Sequence, residues 1–374
     1  LTKAKVPEVF MNFKPLAIFF IFFAILIQPI CVLSFETDQY NLPPKPLGDI
    51  GVEVTEYAEQ KLRDSVEKIN GEISELKACL EKTSGKGKCK SPEKARKELA
   101  YLQSEEAIAK AVFKRLGGGV VPFTKVSLWM EWHKFKAQPA RYRTSYPKSI
   151  YLTAPFNYLT ISPTVNLYET NLGTDKVAHI FQQGYGYYGI YKRSLAKGST
   201  EIEAVKKAVK WGRKTEKTYF GTLVSGVYSN ADLAANYSGL KFYQGLTHEI
   251  KIGESVRPAV LILKDGIWEF NKNADLREIL LKPFISKHLN EAYNPSKIFN
   301  IFGFRDYVRR VVRKRSCKQW LERYPDLSQT DLEATTKSLE LWHGEDYGFS
   351  YSKNFVTIAN TCFENERSTI ESLS

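Results

Sequence analysis

Residues 171–183 read NLGTDKVAHIFQQ, and residues 229–243 read SNADLAANYSGLKFY. In the first stretch Asp175 and His179 stand four residues apart, which places both on one face of a helix. Val177, Ile180 and Phe181 supply apolar surface around them, and Lys176 leans to the flank. In the second stretch Asp232 and Asn236 repeat the spacing, with Leu233, Ala234 and Ala235 between them. Gly239 follows Asn236 by about one turn, where the missing side chain lets a second backbone come close. The intervening WGRKTEKTYFGTLVSG at 211–226 predicts a third helix, carrying Glu216. Packing these three helices together brings Asp175, His179, Glu216, Asp232 and Asn236 into one interior polar cluster, whose excess negative charge Lys176 can offset. Buried acids and imidazoles are costly unless paired, so such a cluster marks either a working site or a network that fixes helix packing.

The same residues carry a resemblance. The order D-K-x-x-H, then a helical Glu, then D-L-x-x-N-x-x-G resembles the signature of the VanZ-like proteins. It is similar also to that of small periplasmic lipoproteins with the same three blocks. Asp175, Lys176 and His179 match the first block, Glu216 the second, and Asp232, Leu233, Asn236 and Gly239 the third. The match spans 174–243, under a fifth of the chain. Two features depart from it. VanZ-like proteins are integral to the membrane, whereas these helices carry Lys192, Arg193, Lys206, Lys207, Lys210, Arg213 and Lys214, which hydrocarbon does not accept. The position three after the Glu, often Gln in that family, is Tyr219. The resemblance implies a cell-envelope role, with glycopeptide-resistance phenotypes in the family, and no settled reaction. The stretches at 161–176 and 221–237 also resemble uncharacterised exported bacterial proteins.

Composition bounds the rest. With 374 residues, 43% hydrophobic and 25% charged, the chain is ordinary globular material long enough for a sizeable core. The expected class is α+β, predominantly α, with a helical core, short strands and one clear β-hairpin. Formal net charge is +13, of which Lys3, Lys5 and Lys14 against Glu8 contribute +2. A basic surface suits an anionic neighbour such as a lipid headgroup or a polymer phosphate, and peripheral contact with a membrane. No zinc-finger, RRM, KH or basic-zipper pattern is present, so nucleic acid is set aside.

The N-terminal region predicts export. Met11 and Lys14 precede LAIFFIFFAILI at 16–27, the length of a signal-peptide apolar run and short for a spanning helix. Val32 and Ser34 make a small-residue cleavage site, which predicts a mature chain from Phe35 in the periplasm or elsewhere in the envelope; an uncleaved anchor is the alternative. Cys79, Cys89, Cys317 and Cys362 then form an even set in an oxidising compartment. Three pairings are possible; easy closure of short loops favours Cys79–Cys89 with Cys317–Cys362. A four-cysteine metal site lacks any C-x-x-C pair.

Four stretches follow along the chain: 1–34, the upstream residues and signal run; 35–149, a helical hairpin with an aromatic and basic segment; 150–300, the core with the polar cluster; and 301–374, a basic end. Residues 35–48 read as an extended lead-in. Helices are predicted at Val52–Leu80 and Pro92–Leu116, the second opened by Ser91 and Pro92. Gly117, Gly118 and Gly119 end it at a hinge or a close backbone contact. Trp129, Trp132 and Phe135 interleave with His133, Lys134, Lys136, Arg141 and Arg143, a pattern that packs and snorkels or rests on a membrane interface. Residues 150–169 predict short strands, and PAVLILKDGIWEF at 258–270 predicts a hairpin turning at Asp265-Gly266. Helix resumes in LREILLKPFISKHLNEAYNPS, where His288 and Glu291 read as a surface pair, and in the basic RDYVRRVVRKRSCKQWLERY with Arg309, Arg310, Arg313, Lys314 and Arg315. His343, Glu345 and Asp346 fall in a turn that completes a site or folds a loop.

No G-x-S-x-G elbow, H-E-x-x-H, Walker or Rossmann fingerprint is present, and no cofactor is implied. What remains is acid–base or cation-assisted chemistry by Asp175, His179, Glu216, Asp232 and Asn236. That leaves two readings: an envelope hydrolase or transferase acting on a lipid-linked or phosphate-bearing substrate, or a non-enzymatic protein that binds membrane or cell-wall polymer through basic and aromatic surfaces. An open pocket around the five side chains favours the first, and a sealed one the second.

Overall fold

The computed structural model describes residues 36–82, 89–120, 123–151, 161–218, 220–222, 226–298, 303–352 and 354–363. The signal run, its cleavage site, Tyr219 and residues 152–160 of the predicted strand stretch lie outside the described residues. The protein is α+β and predominantly α. Among the described residues no helix is long and apolar enough to cross a membrane.

Helix α1, Gly51–Glu81, buries Val54, Ala58, Leu62, Val66, Ile69 and Ile73, one stripe at helical spacing. The next predicted helix is two: α2, Pro92–Leu102, and α3, Glu105–Leu116. Ser104 divides them because its hydroxyl caps α3, accepting from the Ala107 amide. A side chain at Gly117 would meet the Phe181 carbonyl at 2.3 Å, so the glycine run marks a close backbone contact. Strands β1, Gly119–Val120, and β2, Phe123–Thr124, pair antiparallel before α4, Lys125–Trp132. In α4 Trp129 stacks on Tyr57 of α1, with centroids 4.0 Å apart, while Trp132 is 79% exposed.

Strands β3, Thr164–Leu167, and β4, Thr170–Gly173, form a hairpin that feeds α5, Thr174–Leu195. Helix α6, Glu201–Glu216, opens with a capping box of Thr200 and Glu203 and ends at Glu216, so the expected helix through 226 stops ten residues early. Strand β5, Val227–Ser229, leads into α7, Asn230–Gln244, capped by the Ser229 hydroxyl. Helices α5 and α7 cross at glycines: a side chain on Gly239 would lie 2.1 Å from the Ile180 carbonyl, and one on Gly184 would lie 2.4 Å from the Gly239 Cα. Only two hydrogen atoms fit between the chains there.

Hairpins β6–β7, Ile250–Ile252 with Ser255–Arg257, and β8–β9, Leu261–Lys264 with Ile267–Phe270, follow. The second turns at Asp265 and Gly266, both with positive φ, as the sequence predicts. The stretch after 276 is not one helix. It is a helical turn, Leu276–Ile279, and two 3₁₀ turns, because Pro283 removes an amide donor and clashes with the preceding turn. Strand β10, Ser296–Ile298, pairs with β5 on one side and with β11, Phe355–Val356, on the other. The basic segment is helical as expected: α8, Phe304–Val311, a π turn at Val312–Ser316, and α9, Cys317–Arg323, followed by α10, Gln329–Ser338.

Both predicted disulfides are present, Cys79–Cys89 and Cys317–Cys362, with Cα separations of 5.0 and 5.3 Å. The second ties α9 to the helical turn Ile358–Cys362.

Candidate functional site

The start of α5 and the start of α7 meet, and their polar side chains converge. None of Asp175, Lys176, His179, Glu216, Asp232 and Asn236 is more than 5% exposed. Lys176 does not lean to the flank; it is the centre. Its ammonium donates to Asp175 Oδ2 at 2.7 Å and to Asp232 Oδ1 at 2.5 Å, and pairs with the charge of Glu291 Oε1 at 2.5 Å. Three acids around one point would otherwise repel one another, so the ammonium stands where a cation is required.

The remaining oxygens are mostly satisfied. Thr37 Oγ1 donates to Asp175 Oδ1 at 2.5 Å. Ser229 and Ser296, partners across β5 and β10, each donate to Glu291 at 2.7 Å. The Ser229 hydroxyl also accepts the Asp232 amide at 3.0 Å, and the Ser229 amide donates to Glu216 Oε1 at 2.9 Å. Gln39 accepts the Glu291 amide at 2.6 Å. The predicted lead-in is therefore no loose arm: residues 36–41 are buried and brace the cluster.

His179 completes it. Nδ1 lies 2.9 Å from Asn236 Oδ1, an acceptor, so this nitrogen carries a proton. Nε2 faces Asp232 Oδ2 at 3.5 Å without hydrogen-bond geometry, and neither atom has another partner among the described residues.

The acids divide by environment. Burial pulls the Lys176 ammonium down, but Asp175, Asp232, Glu291 and Glu36 more than offset this and hold its pKa well above the ordinary lysine value. Burial pushes the Asp232 carboxyl up, yet His179 and Lys176 beside it hold it below the usual range. For Glu216 burial wins: its carboxyl is pushed well above the usual range, the Asp232 charge adds to this, and the Ser229 amide only partly offsets it. Glu291 is also raised, by burial first and despite its contact with Lys176. The surroundings of Glu216 thus favour its protonated form, and those of Asp232 its ionised form.

All five sequence-predicted residues belong to one neighbourhood, Glu216 through the Ser229 amide rather than by direct contact with the histidine. Sequence reasoning missed Glu291, Thr37, Ser229 and Ser296. Glu291 and His288 are not a surface pair; both are buried, Glu291 on Lys176 and His288 between Ser286 Oγ and the Leu341 carbonyl. His343 and Glu345 fold a loop instead of joining the cluster: Trp342 and Glu345 bridge, and Glu345 binds Tyr237 and Lys241.

This constellation gathers three carboxylates on one ammonium and fixes three chain segments against one another. With Lys176 in the central position, no group of three or more His, Cys, Asp or Glu among the described residues is arranged to hold a metal ion. The exposed chemistry lies elsewhere. Arg310 and Lys314, four residues apart, are exposed and make no ion pair among the described residues, and Lys318 continues the row beside Glu322 at 3.7 Å. Arg309, Arg313 and Arg315 instead donate to carbonyls of Phe355, Thr361 and Pro147. No family model, curated protein or solved structure matches this chain.

Proposed function

We propose that this is an exported, disulfide-stapled envelope protein that is not an enzyme and binds a phosphate-bearing envelope component through its basic surface. The observation that carries the reading is the burial of the polar cluster. A catalytic histidine and carboxylate need a substrate within about 3 Å, and here both sit at 2% exposure or less with the lysine between the acids. Such a buried network, with its acids gathered on one lysine, suits a role in specifying how helices pack. Two disulfides and the apolar run at 16–27 support export, and the VanZ-like resemblance accords with the envelope.

The Arg310, Lys314 and Lys318 row offers three cations to successive phosphates. Trp132, exposed between Lys125 and Lys134, supplies an amphipathic ring of the kind that settles at headgroup depth. The shared ligand chemistry is the phosphate group, from lipid or from polymer. Co-sedimentation with phosphatidylcholine vesicles carrying phosphatidylglycerol, alongside titration with long-chain inorganic polyphosphate, separates the sources. Binding to both should weaken as salt rises and fall at least tenfold in the Arg310→Glu, Lys314→Glu, Lys318→Glu variant. Trp132→Ala should weaken vesicle binding alone if lipid is the source. Wild-type protein that binds neither probe at low salt would overturn the proposal.

A further inference from the structure

A cavity of about 110 Å³ lies where α9 meets the β3–β4 turn and the 287–293 segment. One wall is aromatic. Tyr293, Trp320 and Tyr324 line it, with the Trp320 ring 5.4 Å from Tyr293 and 5.5 Å from Tyr324. Trp320 is fixed by donating its indole N–H to the Tyr40 carbonyl at 2.9 Å. Three amide side chains, Gln39, Asn171 and Asn290, also line it. Gln39 and Asn290 are locked, both donating to the Asn171 carbonyl, at 3.0 and 2.8 Å.

Three lining side chains are left over. Those of Glu169, Asn171 and Lys287 make no hydrogen bond or ion pair with other described residues; Lys287 rests over the Tyr293 ring at 5.7 Å. Glu169 is also held in an unusual backbone. Tyr168 and Glu169 have φ of +50° and +62°, and Asp49 secures both by accepting their amides at 3.1 and 2.9 Å. Left-handed non-glycine pairs persist only where the surroundings enforce them.

Aromatic rings and planar amides lining one cavity fit one ligand chemistry well. A pyranose ring has an apolar C–H face that lies on an aromatic ring and peripheral hydroxyls that pair with amides and carboxylates. An acyl chain has no use for the amides, and a bare phosphate none for the aromatic wall. The unpaired Asn171 amide both donates and accepts, as an acetamido group does, and the acetamido methyl adds apolar contact. The volume is below the ~150 Å³ that admits a benzene ring, so one ring enters in part. Trp320 lies on α9, the helix that also carries Lys318 on its exposed side.

We propose that this cavity binds one N-acetylated pyranose unit of an anionic glycan whose charged groups lie along α8 and α9. The inference deepens the preceding reading and rests on it for the anionic part. The test is calorimetric titration with N-acetylglucosamine and chitotriose, with glucose as comparator, run beside long-chain polyphosphate. Wild type should bind the acetamido sugars more tightly than glucose. Tyr324→Ala and Asn171→Ala should each weaken chitotriose at least tenfold with unchanged melting temperature and unchanged polyphosphate binding. The Arg310→Glu, Lys314→Glu, Lys318→Glu variant should show the reverse pattern. Failure of wild type to bind either acetamido sugar, or wild-type sugar affinity in both pocket variants, overturns the inference, and retained polyphosphate binding then leaves the basic-surface reading standing. Sugar binding without any polyphosphate or vesicle binding would sustain the pocket and sink that reading.

Discussion

Replacing Lys176 with methionine removes the one charge that lets three carboxylates share the interior. The side chain keeps its length, so packing changes little, but Asp175, Asp232 and Glu291 lose a donor that stood 2.5–2.7 Å from each. Removing one member of a buried ion network costs about 3–5 kcal/mol. A second route to the number agrees. The orphaned acids can relieve repulsion by taking up a proton, which for a carboxyl of ordinary pKa near 4 costs about 4 kcal/mol at pH 7 and about 1.4 kcal/mol at pH 5. At roughly 2 °C per kcal/mol for a chain of this length, Lys176→Met should melt about 8 °C below wild type at pH 7 and about 3 °C below it at pH 5. Lys176 itself does not titrate in this window. Its folded pKa is raised, so its contribution is present below the ordinary lysine value and is lost only as pH climbs through the raised one. Scanning calorimetry of both proteins at the two pH values reads the difference directly. An equal deficit at pH 5 and pH 7, or none at pH 7, would refute the argument.

Glu216→Gln should be neutral or stabilising at pH 7 in chemical denaturation. The raised folded pKa means wild type loses stability as pH rises from the ordinary carboxyl value through the raised one, and glutamine removes that loss; a loss of 3 kcal/mol would contradict it. His288 is pulled down to about 4 by burial, so its contribution is present above the ordinary histidine value near 6.5 and is lost as pH falls toward 4. His288→Gln should therefore flatten the acid side of the stability profile, and an unchanged slope counts against it. Gly239→Ala should destabilise by about 1–3 kcal/mol or more, since its methyl meets backbone rather than a movable side chain; a wild-type melting curve would show that the helices can part without cost. Serine pairs at the disulfides should rank by loop size, about 4 kcal/mol for the separation of 45 and about 2.7 kcal/mol for that of 10, and equal losses in urea melts would break the ranking.

The parts legible in the sequence were those with a local period or a local partner. The stripe of α1, the Asp265-Gly266 turn, the glycine at the helix crossing and both disulfides follow from spacing alone. The facing of Asp175 and His179 toward Asp232 and Asn236 follows from two i,i+4 pairs. Glu291 does not: it reaches Lys176 from 115 positions downstream, through a segment whose proline breaks the helical pattern that would have oriented it. Thr37 and Gln39 are likewise invisible, because an extended segment has no period to say which side is inward. Lys176 offsets the negative charge as expected, but from the centre and not from the flank. A lysine on an apolar face ordinarily snorkels, and only the three acids arriving from separate elements make full burial tolerable.

We propose that the buried cluster holds the fold while the outer basic row does the binding. It is tested most directly by polyphosphate binding isotherms at 25 °C, with melting curves, for His179→Ala and for the Arg310→Glu, Lys314→Glu, Lys318→Glu variant. The account predicts wild-type affinity and a lowered melting temperature for His179→Ala, with at least tenfold weaker binding and an unchanged melting temperature for the surface variant. Loss of binding in His179→Ala at an unchanged melting temperature, with wild-type binding in the surface variant, would contradict it.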